Sequence, residues 1–525
     1  MIRDPKIMLA VSKILQRSER QVDDQKMLET FVDLGILSQL ASRNNQIIYG
    51  RRGTGKTHVF RVLAAQLEEE SRDNVVVYID ARTLGSSAQF GDINADMQRR
   101  VIALLRDIFG PIYNDLLEHI VERGGDNALR AMEALDALLP PITESSKAVI
   151  EETTTIAGSV SESKASAASL NTNAPLTANI GATSSRTASD SSTVEQKFAI
   201  PPDKVIFPGI SDPLTEVLRR SGAQLYVLID EWSSLPQDIQ PYLAEFVKRT
   251  LLPLQNVTIK IAALEYRTHF AMTTTNGHVG FELGADISTA PDLDDYYVYD
   301  RNPAKVTDAY GDILLRHLNV ELEPDYILKQ YGVVNGADLA SRLFTQRPTM
   351  QELARACEGV IRDLINIFTK AFFHAQRRDR DTIDLKAVIE GSREWFEQDK
   401  ARGLDDEMSS VLRRIVDQVI GERRARSFLM QRDLEKHPLI QRLIDARVLH
   451  HIARGYADKD NPGVRYNIYS VDYGTYVDLI NTSKQPEIDF EEAEGLRPDV
   501  VVPFDDKRSI RRIVLDASIL EGHRV

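Results

Sequence analysis

Apolar residues follow two rhythms along the chain. Four short runs, IIY at 47–49, VVVYID at 75–80, LYVLID at 225–230 and VTIKIAAL at 257–264, show almost no polar alternation. Such runs suit strands buried on both faces of a sheet. Between them the spacing is helical, most clearly in THVFRVLAAQLEEE after the first run. Short apolar strands alternating with amphipathic helices predict a parallel sheet with helices on its faces, an α/β fold. Farther on, Ile361, Leu364, Ile365, Phe368 and Phe372 share one helical face, which leaves Arg362 off the stripe. Leu412, Ile415, Val416, Val419 and Ile420 mark another helix. Pro438 opens a further one at its first position, where the missing N–H costs nothing, and Leu439, Ile440, Leu443 and Ile444 form its buried face. The strand VLHHI, the turn-rich GYADKDNPG and the strand VRYNIYSV then predict a hairpin with a long tip.

Two stretches break these rhythms. From about Pro141 to Val194 the chain is rich in Ser, Thr and Ala and poor in large apolar residues. It cannot bury enough surface to form its own core, so it reads as an insertion, at about 141–200, within the α/β region. From Pro486 onward an acidic stretch passes into mixed charge, which fits an extension that packs back or meets a partner. A chain of 525 residues exceeds what one core organises, so two to four domains are expected. With 42% apolar and 27% charged residues the composition is that of a globular protein, and no apolar run reaches the roughly 20 residues that span a bilayer. The first 20 residues read as an amphipathic helix and not as a secretion signal. Cys357 is the single cysteine, which excludes an intramolecular disulfide and fits a reducing cytoplasm. A net charge of −14 argues against a surface coated for nucleic acid, while leaving room for a local basic face.

One motif carries chemistry. Gly50, Gly53, Gly55, Lys56 and Thr57 fill G-x-x-x-x-G-K-[ST] completely, directly after an apolar strand and before an amphipathic helix. The glycines let backbone N–H groups of the loop, Thr54 included, close around phosphate oxygens, and the helix adds its positive end. Lys56 offers a charge to the outer phosphates, and the Thr57 hydroxyl suits magnesium. A carboxylate to hold the metal and another to activate water complete such a site. LYVLIDEW supplies both: Asp230, at the end of a buried strand, to orient magnesium, and Glu231 beside it as base. The expected cofactors are therefore ATP and Mg2+.

With its GRRGTGKT loop, its IDE strand end and the helical EGVIRDLINIF, the chain resembles the AAA+ ATPases, and within them the origin-recognition and initiator-loader branch. The resemblance implies an α/β nucleotide-binding core over 1–300, a helical lid over 301–400 and a winged helix over 401–485, followed by an extension over 486–525. It also implies an ATPase whose cycle drives a conformational change. Arg362, after Gly359, Val360 and Ile361, takes the position of the second-sensor arginine, although a solvated helix arginine fits the spacing as well. The first-sensor strand here ends AALEYRTHF without the family's asparagine, so Glu265 stands as a substitute. Arg267, and after it Arg249, are candidates for the arginine that completes a neighbouring subunit's site in a homo-oligomer.

The implied winged helix carries Arg413, Arg414, Arg423, Arg424, Arg426, Arg432 and Arg442, which fits DNA contact. The interleaved acids Glu422, Asp433, Glu435 and Asp445 fit a protein–protein module equally. A signalling ATPase of the related STAND type therefore remains the alternative, as does a nucleotide-dependent scaffold. No metal-protease, C-x-x-C or G-x-S-x-G pattern is present. His450 and His451, adjacent in a strand, point to opposite faces and cannot share a metal. Trp232 and Trp395 are expected to serve core packing.

Overall fold

A computed structural model describes residues 1–14, 24–85, 97–125, 127–138, 207–275, 277–299, 302–423, 425–457, 465–482 and 513–520. The Ser/Thr-rich insertion, Arg424, the hairpin tip and most of the acidic extension lie outside these residues. The chain divides into two compact units, one of residues 1–82, 225–241 and 258–525, the other of 83–224 and 242–257.

Arg249 lies in the second unit; the first holds the phosphate loop, the carboxylates Asp230 and Glu231, and Arg267 and Arg362. Its sheet contains β1 (Gln46–Tyr49), β2 (Asn74–Asp80), β3 (Gln224–Asp230), β4 (Val257–Ala263) and, beyond a two-stranded hairpin of β5 (Ala271–Thr274) and β6 (Gly277–Gly280), the short β7 (Ser288–Thr289). The order is β2-β3-β4-β1-β7, with β1 parallel to both β4 and β7. The first four are the strands expected from the unalternated apolar runs, whereas the two-residue β7 is too short to leave a pattern. Every residue of β3 and β4 is buried, while β2 at the sheet's end alternates between buried and half-buried. Lys260, fully buried in β4, donates to the carbonyls of Ser42 and Asn44, each at 2.8 Å, and to Gln46 Oε1 at 2.5 Å. A charge inside a sheet is tolerated only with such a set of acceptors. The helix Lys56–Glu70 packs Val59, Phe60, Leu63 and Leu67 onto Ile48, Leu228 and Ala262.

A helical segment follows, with helices Pro303–Val320, Gly336–Leu343, Arg347–Cys357, Ile361–Arg377 and Leu385–Trp395. The expected stripe of Ile361–Arg377 is buried at Leu364, Ile365, Phe368 and Phe372. Leu385–Trp395 lies so close to it that a side chain on Gly391 would stand 2.9 Å from the Ala371 backbone nitrogen.

The C-terminal segment contains helix Asp406–Val416, β8 (Ser427–Gln431), helix Pro438–Asp445, β9 (Leu449–Ala457), β10 (Arg465–Val471) and helix Tyr473–Thr482. From the returning extension, β11 (Val514–Leu515) pairs parallel with β8, giving the order β11-β8-β10-β9. The sequence pattern predicts β9 and β10 but neither β8 nor β11. The run SFLMQ is short, and its strand state comes from pairing with β10. One continuous apolar cluster joins the N-terminal helix Pro5–Lys13, the helical segment and the C-terminal segment, from Ile2 to Ile519. Trp395, at its edge, donates its indole N–H to Asp363 at 3.0 Å, and Trp232 is wholly buried beside Phe270.

The second unit is helical. Its Phe109 and Phe246 rings meet edge to face at 5.9 Å, and the Tyr113 hydroxyl donates to Asp136 at 3.1 Å. Arg249 pairs with Glu245 one turn away in the same unit.

Replacing Gly391 by alanine gains about 1 kcal/mol of helix propensity yet forces two packed helices apart. We expect Gly391→Ala to lower stability by about 2 kcal/mol, because overpacking at a helix contact outweighs propensity. A urea midpoint equal to or above that of the wild type would contradict this.

Candidate nucleotide site

The loop between β1 and helix Lys56–Glu70 takes its shape from its glycines. Gly53 and Gly55 hold φ of +85° and +96°, a left-handed region that side chains disfavour. A side chain on Gly50 would meet Thr54 Oγ1 at 2.9 Å and Leu293 Cβ at 3.1 Å, so the loop closes only over a hydrogen at that position. Lys56 is buried, and its ammonium donates to the carbonyls of Gly50 at 2.8 Å and Arg51 at 2.9 Å, which folds the side chain back under the loop. Burial pulls its pKa down, opposed by the carboxylates of Glu231, Asp230 and Asp294. The loop thus fits an anion: a fixed cation lies beneath backbone N–H groups at a helix start.

β3 delivers the carboxylates. Thr57 Oγ1 donates to Asp230 Oδ2 at 2.6 Å, and the Tyr78 hydroxyl from β2 reaches the same oxygen at 2.8 Å. The Glu231 backbone N–H donates to Asp230 Oδ1 at 2.8 Å. Glu231 itself sits at φ +53°, in a left-handed conformation uncommon for a non-glycine residue, at the turn that ends the strand. Hard oxygens at a loop threonine and an aspartate suit magnesium, which binds through few protein ligands and leaves room for water and phosphate. Sequence reasoning misses Tyr78, because a tyrosine in an apolar run carries no pattern; only the pairing of neighbouring strands brings it to Asp230.

Arg362 enters from the helical segment. Its backbone N–H donates to the Gly53 carbonyl at 3.1 Å, and a Cβ on Gly53 would lie 2.9 Å from Arg362 Cβ and 3.0 Å from Val360 Cγ1. The start of helix Ile361–Arg377 therefore touches the loop directly.

A residue the motif leaves unspecified holds the surroundings together. Arg51 is buried, with Nε donating to Asp294 at 2.9 Å, one terminal nitrogen to the Glu358 carbonyl at 2.5 Å and the other to His450 Nδ1 at 2.5 Å. A guanidinium can only donate, so His450 accepts at Nδ1 and carries its proton on Nε2, which donates to Asp472 at 2.9 Å. Asp472 and Asp363 share Lys400, at 2.6 and 2.7 Å, and Asp363 also pairs with Arg447 at 2.5 Å. Burial and the Arg51 charge push His450 down to about 4, against the pull of Asp472. His450 and His451 do face apart, as expected of strand neighbours: His451 lies edge-on to the Tyr469 ring at 5.3 Å.

The residues expected to complete the site from other directions are engaged with the C-terminal segment. Arg267 pairs with Asp445, and Glu265 accepts from Arg454 at 2.6 and 3.1 Å. In the arginine group, Arg426 is buried against Glu358, Arg442 pairs with Asp405, and Arg414 donates to the Ile519 carbonyl at 3.2 Å. The expected basic group is corrected at Arg426, which is buried; among the described residues Arg413, Arg423, Arg432 and Arg442 are exposed and Arg414 is half-buried.

Beside the loop opens a second feature that the sequence does not announce. A narrow cleft is lined by Phe31, Val32, His58, Tyr297, Ile313 and His317, with Thr54 and Gly55 at its loop end. His58 donates to the Met27 carbonyl at 2.6 Å and meets Phe31 edge-on at 5.2 Å. Burial pulls both imidazoles down, so each is neutral near pH 7. The cleft is mostly apolar and lies next to the anion site.

Residues 17–90 match the family model described as ORC-CDC6-like. No curated protein matches. Among solved structures, the Aeropyrum pernix ORC2 protein in ADPNP–ADP complexes is 10% identical, with 92% of this chain and 98% of that one covered, at a TM-score of 0.31. Cdc6p from Pyrobaculum aerophilum is 14% identical over 88% and 96% of the two chains, at 0.30. The Aeropyrum pernix ORC1 protein in complex with DNA is 13% identical over 91% and 96%, at 0.28.

The stability that a neutral His450 confers is complete above its unfolded value of 6.5 and is lost as pH falls toward the folded value of about 4. His450→Asn keeps an acceptor and a donor but does not titrate. The wild type should therefore lose up to about 3 kcal/mol relative to this variant between those two pH values. Parallel unfolding curves for the two proteins across that window would contradict the assignment.

Through residues 17–90, which hold the whole phosphate loop, this chain is similar to the ORC-CDC6-like proteins, AAA+ proteins of the origin-recognition and initiator type.

Proposed function

We propose that the chain binds ATP with magnesium, hydrolyses it, and uses the cycle as a conformational switch in a DNA-associated, initiator-type role. The observation that carries this reading is the 2.6 Å contact between Thr57 Oγ1 and Asp230 Oδ2 beside a lysine fixed under a glycine loop. Magnesium supplies charge to the phosphates and would be held by Thr57 and Asp230. Lys56 exchanges its two carbonyl partners for phosphate oxygens, and Tyr78 keeps the Asp230 carboxylate oriented. Glu231 takes the proton of the attacking water, with its main chain anchored to Asp230. Arg362 acts as the second sensor: its backbone already contacts Gly53, so movement of the loop is felt at the helix that carries the arginine. The apolar cleft at Phe31, His58 and Tyr297 takes the base.

DNA association draws its support from the ORC-CDC6-like match, with Arg413, Arg423 and Arg432 as phosphate contacts on a winged helix. Arg267 would complete a neighbouring copy's site in a homo-oligomer.

A second reading, the STAND-like signalling switch, draws on one observation: Arg267 and Glu265 are both occupied by the C-terminal segment of their own chain. Hydrolysis measured with and without duplex DNA separates the two. Stimulation by DNA favours the initiator; exchange of nucleotide with self-assembly and no response to DNA favours the signalling switch.

Lys56→Ala should weaken ATP binding at least about 100-fold, as loss of a buried charge-assisted contact implies. Glu231→Gln should retain binding while hydrolysis falls by about 10²–10⁴, the usual worth of a general base. Calorimetry and phosphate release measure the two effects. Undisturbed hydrolysis in Glu231→Gln would remove its role as base, and absence of heat on adding ATP to the wild type would remove the reading altogether.

A further inference from the structure

The C-terminal segment meets its two neighbours through different chemistry. Toward the helical segment the contact is apolar: Phe368, Phe372, Val411, Ile415 and Val448 belong to one uninterrupted buried cluster. Buried ion pairs reinforce it, Arg426 with Glu358 and Lys400 with Asp363 and Asp472. Toward the sheet the contact is polar, and it centres on three consecutive residues after β4. Glu265 is held by Arg454, the Tyr266 hydroxyl donates to Glu435 and lies 3.1 Å from the Tyr469 hydroxyl, and Arg267 pairs with Asp445. Arg454 also reaches Asp292 at 2.8 Å. The side chains of Arg454, Glu265 and Arg267 keep 43%, 37% and 39% of their surface in water.

These two contacts differ in what opening them costs. Separating apolar surface loses about 25 cal/mol for every Å² returned to water. A half-exposed ion pair contributes about 0–1 kcal/mol, because both partners rehydrate when it parts. Glu435, buried at the seam, is satisfied by neutral donors, Asn467 at 2.7 Å and Tyr469 at 2.6 Å from its own segment and Tyr266 from across. Opening removes one of the three and admits water in its place. The buried point of the seam is Arg51, whose backbone belongs to the phosphate loop and whose side chain holds His450.

We propose that the helical and C-terminal segments form one rigid body, and that this body opens and closes over the sheet along the polar seam with Glu265–Tyr266–Arg267 as its latch. The closed arrangement is autoinhibitory. It commits Arg267 to Asp445 of the same chain, withholding it from a neighbouring copy, and it keeps the Asp445 end of helix Pro438–Asp445 from any other partner. Arg51 transmits the state of the phosphate loop to the latch. This last link and the withholding of Arg267 rest on the nucleotide reading; the latch and the rigid body do not.

Because Cys357 is buried, engineered surface cysteines can be labelled selectively for energy transfer in the full chain. One pair, Arg72→Cys with Lys436→Cys, spans sheet and C-terminal segment. The other, Lys329→Cys with Lys436→Cys, spans helical and C-terminal segments. Raising NaCl from about 0.05 to about 0.5 M, which shortens the screening length severalfold, should lower transfer in the first pair at least twofold and leave the second unchanged. Asp445→Lys with Arg454→Glu should do the same at low salt; if that variant does not fold, Tyr266→Phe with Arg454→Gln replaces it. Unchanged transfer in the first pair overturns the latch, and a change in the second overturns the rigid body. Both are read without nucleotide. ATP should then reproduce the opening in the wild type and not in Arg51→Lys; an equal response in both overturns the Arg51 link. A wild type that binds no ATP, yet opens with salt, defeats the nucleotide reading and the Arg51 trigger while the latch stands.

Discussion

The guanidinium of Arg51 is a permanent charge buried within the first unit, and much of the surrounding arrangement is what that charge requires. A buried arginine cannot shed its proton, so its N–H groups must find acceptors or the fold loses several kcal/mol. Arg51 takes Asp294 from beyond the sheet's last strand, the Glu358 carbonyl from the end of a helix, and His450 from a strand some four hundred residues away. Each partner comes from a different part of the chain. The Glu358 backbone is left-handed at φ +46°, which turns its carbonyl toward Arg51. His450 must be neutral, and the tautomer that satisfies Arg51 also satisfies Asp472.

From Asp472 the ionic chain runs through Lys400 to Asp363 and Arg447, all buried. Buried pairs of this kind add little net stability over apolar packing, because desolvation consumes most of the Coulombic gain, but removing one partner strands the rest. They tie helix Ile361–Arg377 in register to the strands that follow, through Lys400 and Arg447. That register also sets Arg362 against the phosphate loop, since Asp363 is its immediate neighbour. The phosphate loop and the buried ionic network therefore adjoin through two consecutive residues, Arg362 and Asp363.

The phosphate loop and the carboxylates beside it are legible in the order of residues alone. Gly50 to Thr57, Asp230 and Glu231 stand in a motif whose spacing is set by phosphate geometry, and the unalternated strands around them follow from burial on two faces. The buried face of helix Ile361–Arg377 is legible for a related reason, a periodicity of 3.6. Tyr78, His58, His317 and Arg51 are not, because each acts through a neighbour distant in sequence. Arg426 shows the converse: in a run of arginines it reads as a surface charge, yet it is buried against Glu358. Charge counted along a chain does not tell which side chains face water.

What the sequence determined by itself was local: which segments are strands and helices, and where a loop can wrap an anion, because backbone conformation and burial pattern act over a few residues. The tertiary structure alone decided which carboxylate each buried cation meets, that Glu265, Tyr266 and Arg267 face the C-terminal segment, and that β11 returns to β8. Those are pairings between segments far apart in the chain, chosen by the need to satisfy every buried charge and hydrogen-bonding group at once, and no window of sequence contains both partners.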